Sequence, residues 1–154
     1  MRLLPLVLIL FAVAGCPGGG SSADSGVVDE ASIGCTTDPQ AEMFSTGMKK
    51  MGAMGMLSFT IATSDPAPPA RGNDTWTIRV EKNGQAQTGA SVGVALFMPK
   101  HGHGTSVVPM VMPTGDGYTL SPLYFFMPGL WRITLTATVA GTSDSAEFFF
   151  CIEG

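Results

Sequence analysis

From Leu57 to Ile152, apolar residues recur at every second position in short bursts separated by turn-forming residues. Leu57, Phe59 and Ile61 alternate with polar neighbours until Asp65-Pro66-Ala67-Pro68-Pro69 stops the strand. Trp76, Ile78 and Val80 alternate next and run into Asn83-Gly84, a pair suited to the two left-handed positions of a tight hairpin. Val92, Val94 and Leu96 form a third strand, and Val107 to Met112 a fourth that ends at Pro113 and Gly115-Asp116-Gly117. Tyr118, Leu120 and Leu123 to Phe126 supply a fifth, in which Pro122 marks an edge or a bulge. Ile133, Leu135 and Ala137 make a sixth, and Ala146 to Ile152 a seventh. The period is two throughout this half, with no long helical stretch. About seven short strands with turns at this spacing predict an all-β fold, an immunoglobulin-like β-sandwich.

The first half is patterned differently. An apolar run from Leu3 to Val13 follows Arg2 and ends in Val13-Ala14-Gly15-Cys16. Spanning a bilayer takes roughly 20 apolar residues, so this run is too short, but it has the length of a secretory signal core. Small residues directly before a cysteine resemble the bacterial lipoprotein signal, in which that thiol is diacylated and becomes the first residue of the mature chain. Residues 1–15 are therefore read as a lipoprotein signal peptide, and 16–34 as a lipidated, Gly/Ser-rich tether. Residues 35–154 form one domain, which places the protein in a bacterial envelope, anchored to a membrane and facing the periplasm or the cell surface. Within the segment entering that domain, Met43, Met48, Met51, Met54 and Met56 crowd together among Gly47, Gly52 and Gly55. The glycines argue against a stable helix there. A short helical turn near Glu42 to Lys50 stays open, as does the choice between packing beneath the sandwich and a loose copper-capturing strip.

Charge removes one class of partner. The formal net charge is -4, only 13% of residues are charged, and no basic cluster exists, so the footprint of a nucleic-acid binder is missing. Cysteine count adds a constraint. With Cys16 lipidated, Cys35 and Cys151 remain as an even pair in an exported chain and read as a disulfide joining the start of the domain to its last strand. No nucleophile elbow, phosphate-binding glycine loop or zinc-protease helix is present, and the expected protein is not an enzyme. Asp29, Glu30, Asp38 and Glu42 are expected to be solvated.

Both histidines of the chain fall in Phe97-Met98-Pro99-Lys100-His101-Gly102-His103-Gly104. Imidazole nitrogen and thioether sulfur together suit copper, the sulfur favouring the cuprous state. If the Met127-Pro128-Gly129 corner folds over this loop, Met98, His101, His103 and Met127 surround one ion, with Met110 and Met112 as weaker candidates. Zinc fits less well, because no further nitrogen, carboxylate or thiolate has an evident place beside them. A loop making only turn hydrogen bonds, with methionines as core filler, fits the same residues.

Gly89-Ala90-Ser91-Val92, the Met98 to Gly104 segment, Gly117-Tyr118 and Met127-Pro128-Gly129-Leu130-Trp131 occur in an order that resembles the YtkA-like domain, related to the FixH group. The resemblance runs from about Trp76 to Phe150. It implies a small exported or membrane-attached immunoglobulin-like domain, non-catalytic, with a role in copper handling. There is a looser likeness to periplasmic copper carriers of the CopC and cupredoxin types. It departs from them twice: an acylated Cys16 leaves no free amino-terminal histidine, and the two remaining cysteines are assigned to the disulfide rather than to a blue-copper centre.

Two functions follow as expectations. The first is an envelope lipoprotein that binds copper and delivers it to an acceptor. The second is a non-catalytic interaction or scaffold module for another envelope protein, presenting a sandwich face or the loop from Pro66 to Gly72, with Tyr124, Phe125 and Phe126 as anchors.

Overall fold

The computed structural model describes residues 34–154. The expected signal peptide, Cys16 and the expected tether up to residue 33 lie outside the described residues. Among the described residues, ten strands follow the 3-10 turn at Cys35–Thr37: β1 (Met48–Met51), β2 (Ser58–Asp65), β3 (Gly72–Lys82), β4 (Gln85–Ala86), β5 (Ser91–Met98), β6 (His103–Gly104), β7 (Met110–Thr114), β8 (Gly117–Phe125), β9 (Gly129–Val139) and β10 (Thr142–Ile152). One sheet has the order β1-β2-β3-β8-β7 with β4 beside β3, and the other has the order β10-β9-β5-β6. All pairs are antiparallel. The seven strands read from the alternation are the seven principal ones here. The other three, β1, β4 and β6, have two to four residues each.

Alternation is what closes the sandwich. Phe59, Trp76, Ile78, Leu120 and Phe125 from the first sheet meet Leu96, Trp131, Ile133, Leu135 and Phe148 from the second in one buried cluster. Asn83 (φ 53°) and Gly84 (φ 77°) form the hairpin turn expected of them, and Ala140 (φ 48°) with Gly141 (φ 80°) forms a second between β9 and β10. Cys35 and Cys151 are bonded, with Cα atoms 5.2 Å apart across 116 positions. This fastens the incoming chain to β10.

The methionine-rich segment takes neither the helical turn nor the buried position. Turn residues precede β1, which adds to β2 as an edge strand. Met48 packs against the core, whereas Met43, Met51, Met54 and Met56 are exposed. Asp38 and Glu42 are likewise engaged rather than solvated. Asp38 pairs with Lys100, and Glu42 pairs with Lys50 and accepts the Phe149 N–H.

Asp144 organises the loop after β1. Its carboxylate accepts N–H bonds from Met54, Met56 and Leu57 at 2.8–3.0 Å and from Ser145 at 2.9 Å. Burial pushes this carboxyl up, but the four N–H donors outweigh it and hold the group below the usual carboxylate value. Its contribution is present above the unfolded-state pKa and is lost as pH falls through the folded one. Asp144→Ala strands three loop amides and is expected to cost about 3 kcal/mol by urea unfolding. Amide exchange should accelerate at Met54, Met56 and Leu57. A loss below about 0.5 kcal/mol would show that water replaces the carboxylate without penalty.

Candidate metal centre

The alternation of β5 puts Val92, Val94, Leu96 and Met98 on its inner side, and Met98 is fully buried. The chain then reverses over Pro99-Lys100-His101-Gly102. The N–H groups of His101 and Gly102 donate to the Met98 carbonyl at 3.2 and 2.9 Å, and Gly102 takes φ 70°. His103 thereby comes to lie opposite Met98 in the β5–β6 pair. Residues directly opposite share one face, with Cβ atoms roughly 5 Å apart, so Met98 and His103 are neighbours across the ladder.

The β8–β9 corner forms the second wall. Phe125 is buried in the core, and Phe126, one residue further, stacks against the His103 ring with centroids 5.6 Å apart and planes at 28°. Trp131 stands edge-on to Phe126 at 5.5 Å, and its indole N–H donates to the Met127 carbonyl at 3.0 Å. Arg71 Nε donates to the Phe126 carbonyl at 3.2 Å. Gly129 closes the corner at φ 134°, and a Cβ there would lie 2.6 Å from Met98 Cε. Only glycine admits both that backbone angle and the buried thioether. The corner and the histidine loop therefore occupy one end of the sandwich.

His101 is exposed, with its ring centroid 5.6 Å from that of His103 and the planes at 55°. A metal–nitrogen bond of about 2 Å places an ion roughly 3.2 Å from a ring centre, so two imidazoles sharing one ion lie at most about 6.4 Å apart. The observed separation lies within that limit. Lys100, between the histidine loop and the incoming chain, is tied to Asp38 Oδ2 at 2.7 Å. The Lys100 bond, helped by the Gln40 N–H, holds the Asp38 carboxyl below its ordinary value. The lysine charge is thus neutralised beside the imidazoles. A cleft of about 200 Å³ runs from Asp38 past Lys100 and His101 to Pro128 and Gly129.

Of the residues singled out in the sequence, His101, His103, Met98 and the Met127 corner are gathered here, Met98 from inside the core and Met127 half-buried against it. Met110 and Met112 are exposed on β7, opposite Ser121 and Thr119. That register sets Met110 roughly 16 Å down the sheet from Phe126 at 3.3 Å per residue. Two participants were not foreseen, the Phe126 ring and the Asp38–Lys100 pair. An aromatic immediately before Met127 was the available signal for the first. Among the described residues no three histidine, cysteine or carboxylate side chains converge on one point. His101 and His103 would supply two nitrogen donors to a metal at this end, and thioethers or water would have to complete its shell.

A search of curated protein sequences gives no match. Among solved structures, one similar chain is a copper-bound single-substitution variant of FetP from uropathogenic Escherichia coli, 11% identical, covering 75% of this chain and 91% of that one, with a TM-score of 0.37. The sequence model of the YtkA-like family matches residues 53–136, more than half of the chain, and its span includes the histidine loop, the Met127 corner and Trp131. The protein belongs to the YtkA-like family.

Proposed function

We propose that this protein is a non-catalytic copper carrier of the bacterial envelope, held to a membrane through acylated Cys16, that passes its ion to an acceptor protein. His101 and His103 are the imidazole ligands, with Met127 and Met98 supplying thioether from the corner and the core side. The observation that carries the reading is the imidazole pair, 5.6 Å apart on a short loop fixed by two hydrogen bonds to the Met98 carbonyl. Neutral imidazole with thioether is a donor set matched to cuprous ion, and the paired lysine nearby does not repel it.

Titration with cuprous ion against a competing chelator tests this reading. The protein is expected to bind one ion at the loop, and His101→Ala/His103→Ala to weaken that binding at least about 100-fold, more than removal of an outer-shell partner does. Equal affinity in the two proteins would make the loop structural and favour the interaction module. Tyr124 and Phe126 are the half-buried aromatics left for such a surface, since Phe125 is in the core.

A further inference from the structure

We infer a second soft-cation site at the tip of the β1–β2 hairpin, formed by the thioethers of Met51, Met54 and Met56 and suited to cuprous ion. It does not rest on the histidine loop. Methionine ordinarily fills cores, yet these three side chains are 64%, 69% and 40% exposed.

Closure of the hairpin tip brings two of them near one another. Met51 lies opposite Ser58, so Met51 and Ser58 share a face, and the buried Leu57 shares the opposite face with Gly52, to which it is hydrogen bonded. Met56, next to Leu57 in the chain, lies in the bend just inside that closure, across the hairpin tip from Met51. The Gly52–Leu57 hydrogen bond holds the two sides of the tip together, within reach of two long flexible side chains that grip one ion between them. Met54 sits at the turn between them, where the Gly55 N–H closes on the Gly52 carbonyl at 2.8 Å.

The backbone beneath these sulfurs is fixed. The N–H groups of Gly52, Ala53 and Gly55 bond to backbone carbonyls, and those of Met54, Met56 and Leu57 bond to the Asp144 carboxylate or share it. Little backbone entropy remains to be lost on binding. Charge also suits a cation. The Asp144 carboxylate lies under the loop, and Lys49, on the face of Met51, is paired with Glu81. Thioethers carry no proton near neutral pH, so this site holds its ion without competition from protons, whereas imidazole ligands lose theirs as they protonate.

The test uses the full chain, purified in detergent, with 13C-labelled methionine ε-methyl groups and silver(I) in chloride-free buffer as a redox-inert probe. The Met51, Met54 and Met56 methyl signals are expected to shift together, saturate at one equivalent, and respond alike at pH 5 and pH 7. The triple variant Met51→Leu/Met54→Leu/Met56→Leu, which conserves volume, should bind one equivalent fewer. His101→Ala/His103→Ala should retain the hairpin response, so failure of one site is told apart from failure of the other. Unmoved hairpin methyls would overturn the proposal. So would hairpin methyls that move no sooner than the exposed Met43, Met110 and Met112, since that result would mean unspecific capture by any thioether.

Discussion

Replacing Cys35 and Cys151 together by alanine is expected to lower the free energy of unfolding by about 4 to 5 kcal/mol, a drop of roughly 15 °C in melting temperature for a domain of this size. The bridge closes a loop of 116 positions, nearly the whole domain, so the unfolded chain loses more freedom to it than to any shorter link. The bond also fixes the start of the segment that carries Asp38, whose carboxylate steadies Lys100 beside the histidines. The copper affinity proposed for the loop should therefore weaken along with stability, though by less than in the double histidine variant. Urea unfolding of the oxidised protein, the reduced protein and the double variant measures the effect. The reduced and double-alanine forms should agree. A difference from the oxidised protein below about 1 kcal/mol would mean that the first residues of the domain separate from β10 without consequence.

The principal strands were legible because each has one buried face, and burial on one face writes itself as a period of two. The strand β1 was not, for a physical reason. Its inward positions are Met48 and Lys50, and Lys50 covers the Phe148 ring at 5.0 Å while its ammonium reaches Glu42. A lysine lying along an apolar surface with its charge at the rim reads as polar in sequence although its stem packs. The hairpin turn at Ala140-Gly141 was hidden because alanine rarely adopts a positive φ, whereas Asn83-Gly84 announces itself. At the candidate centre, the sequence supplied the donors and their two-residue spacing but not their convergence. Convergence came from the Met98–His103 register, set by the loop conformation at Gly102, and from the Phe126 stack, a long-range fact of the sandwich.

The two ends of the sandwich are stabilised by different chemistry. Around the histidine loop, aromatic stacking and one neutralised lysine leave imidazole at the surface with little else that titrates. At the opposite end a buried carboxylate organises backbone amides under a thioether-bearing loop. Imidazole and thioether are the donor types that the two ends expose, and both suit soft metal ions. In both places the backbone beneath the exposed donors is fixed by hydrogen bonds, to the Met98 carbonyl at one end and to the Asp144 carboxylate at the other.

Raising the pH from about 4 to about 7 is expected to destabilise the protein by up to about 4 kcal/mol, and Asp74→Asn to abolish most of that loss. Asp74 lies on β3 where a bulge interrupts its pairing with β8, and it is 1% exposed. Burial drives its pKa up from 3.8 to about 7, only partly offset by the Ala70 N–H at 3.3 Å and the nearby Trp76 indole, and the Asp65 charge pushes the same way. Oδ1 has no hydrogen-bond partner within the protein. A carboxyl whose pKa is raised on folding binds its proton more tightly in the native state. Its stabilising contribution is complete below the unfolded value of 3.8 and disappears as pH rises through about 7. Asp38 and Asp144 act in the opposite sense but titrate below this window, because their values are lowered. Urea midpoints at pH 5 and pH 8 should therefore differ in the wild-type protein and nearly coincide in Asp74→Asn, which should be the more stable of the two at pH 8. Equal midpoints in the wild-type protein would mean that Asp74 stays ionised in the fold, with water reaching Oδ1. The conserved-shape substitution isolates charge from packing, so a slope that persists in Asp74→Asn would move the titration to another group.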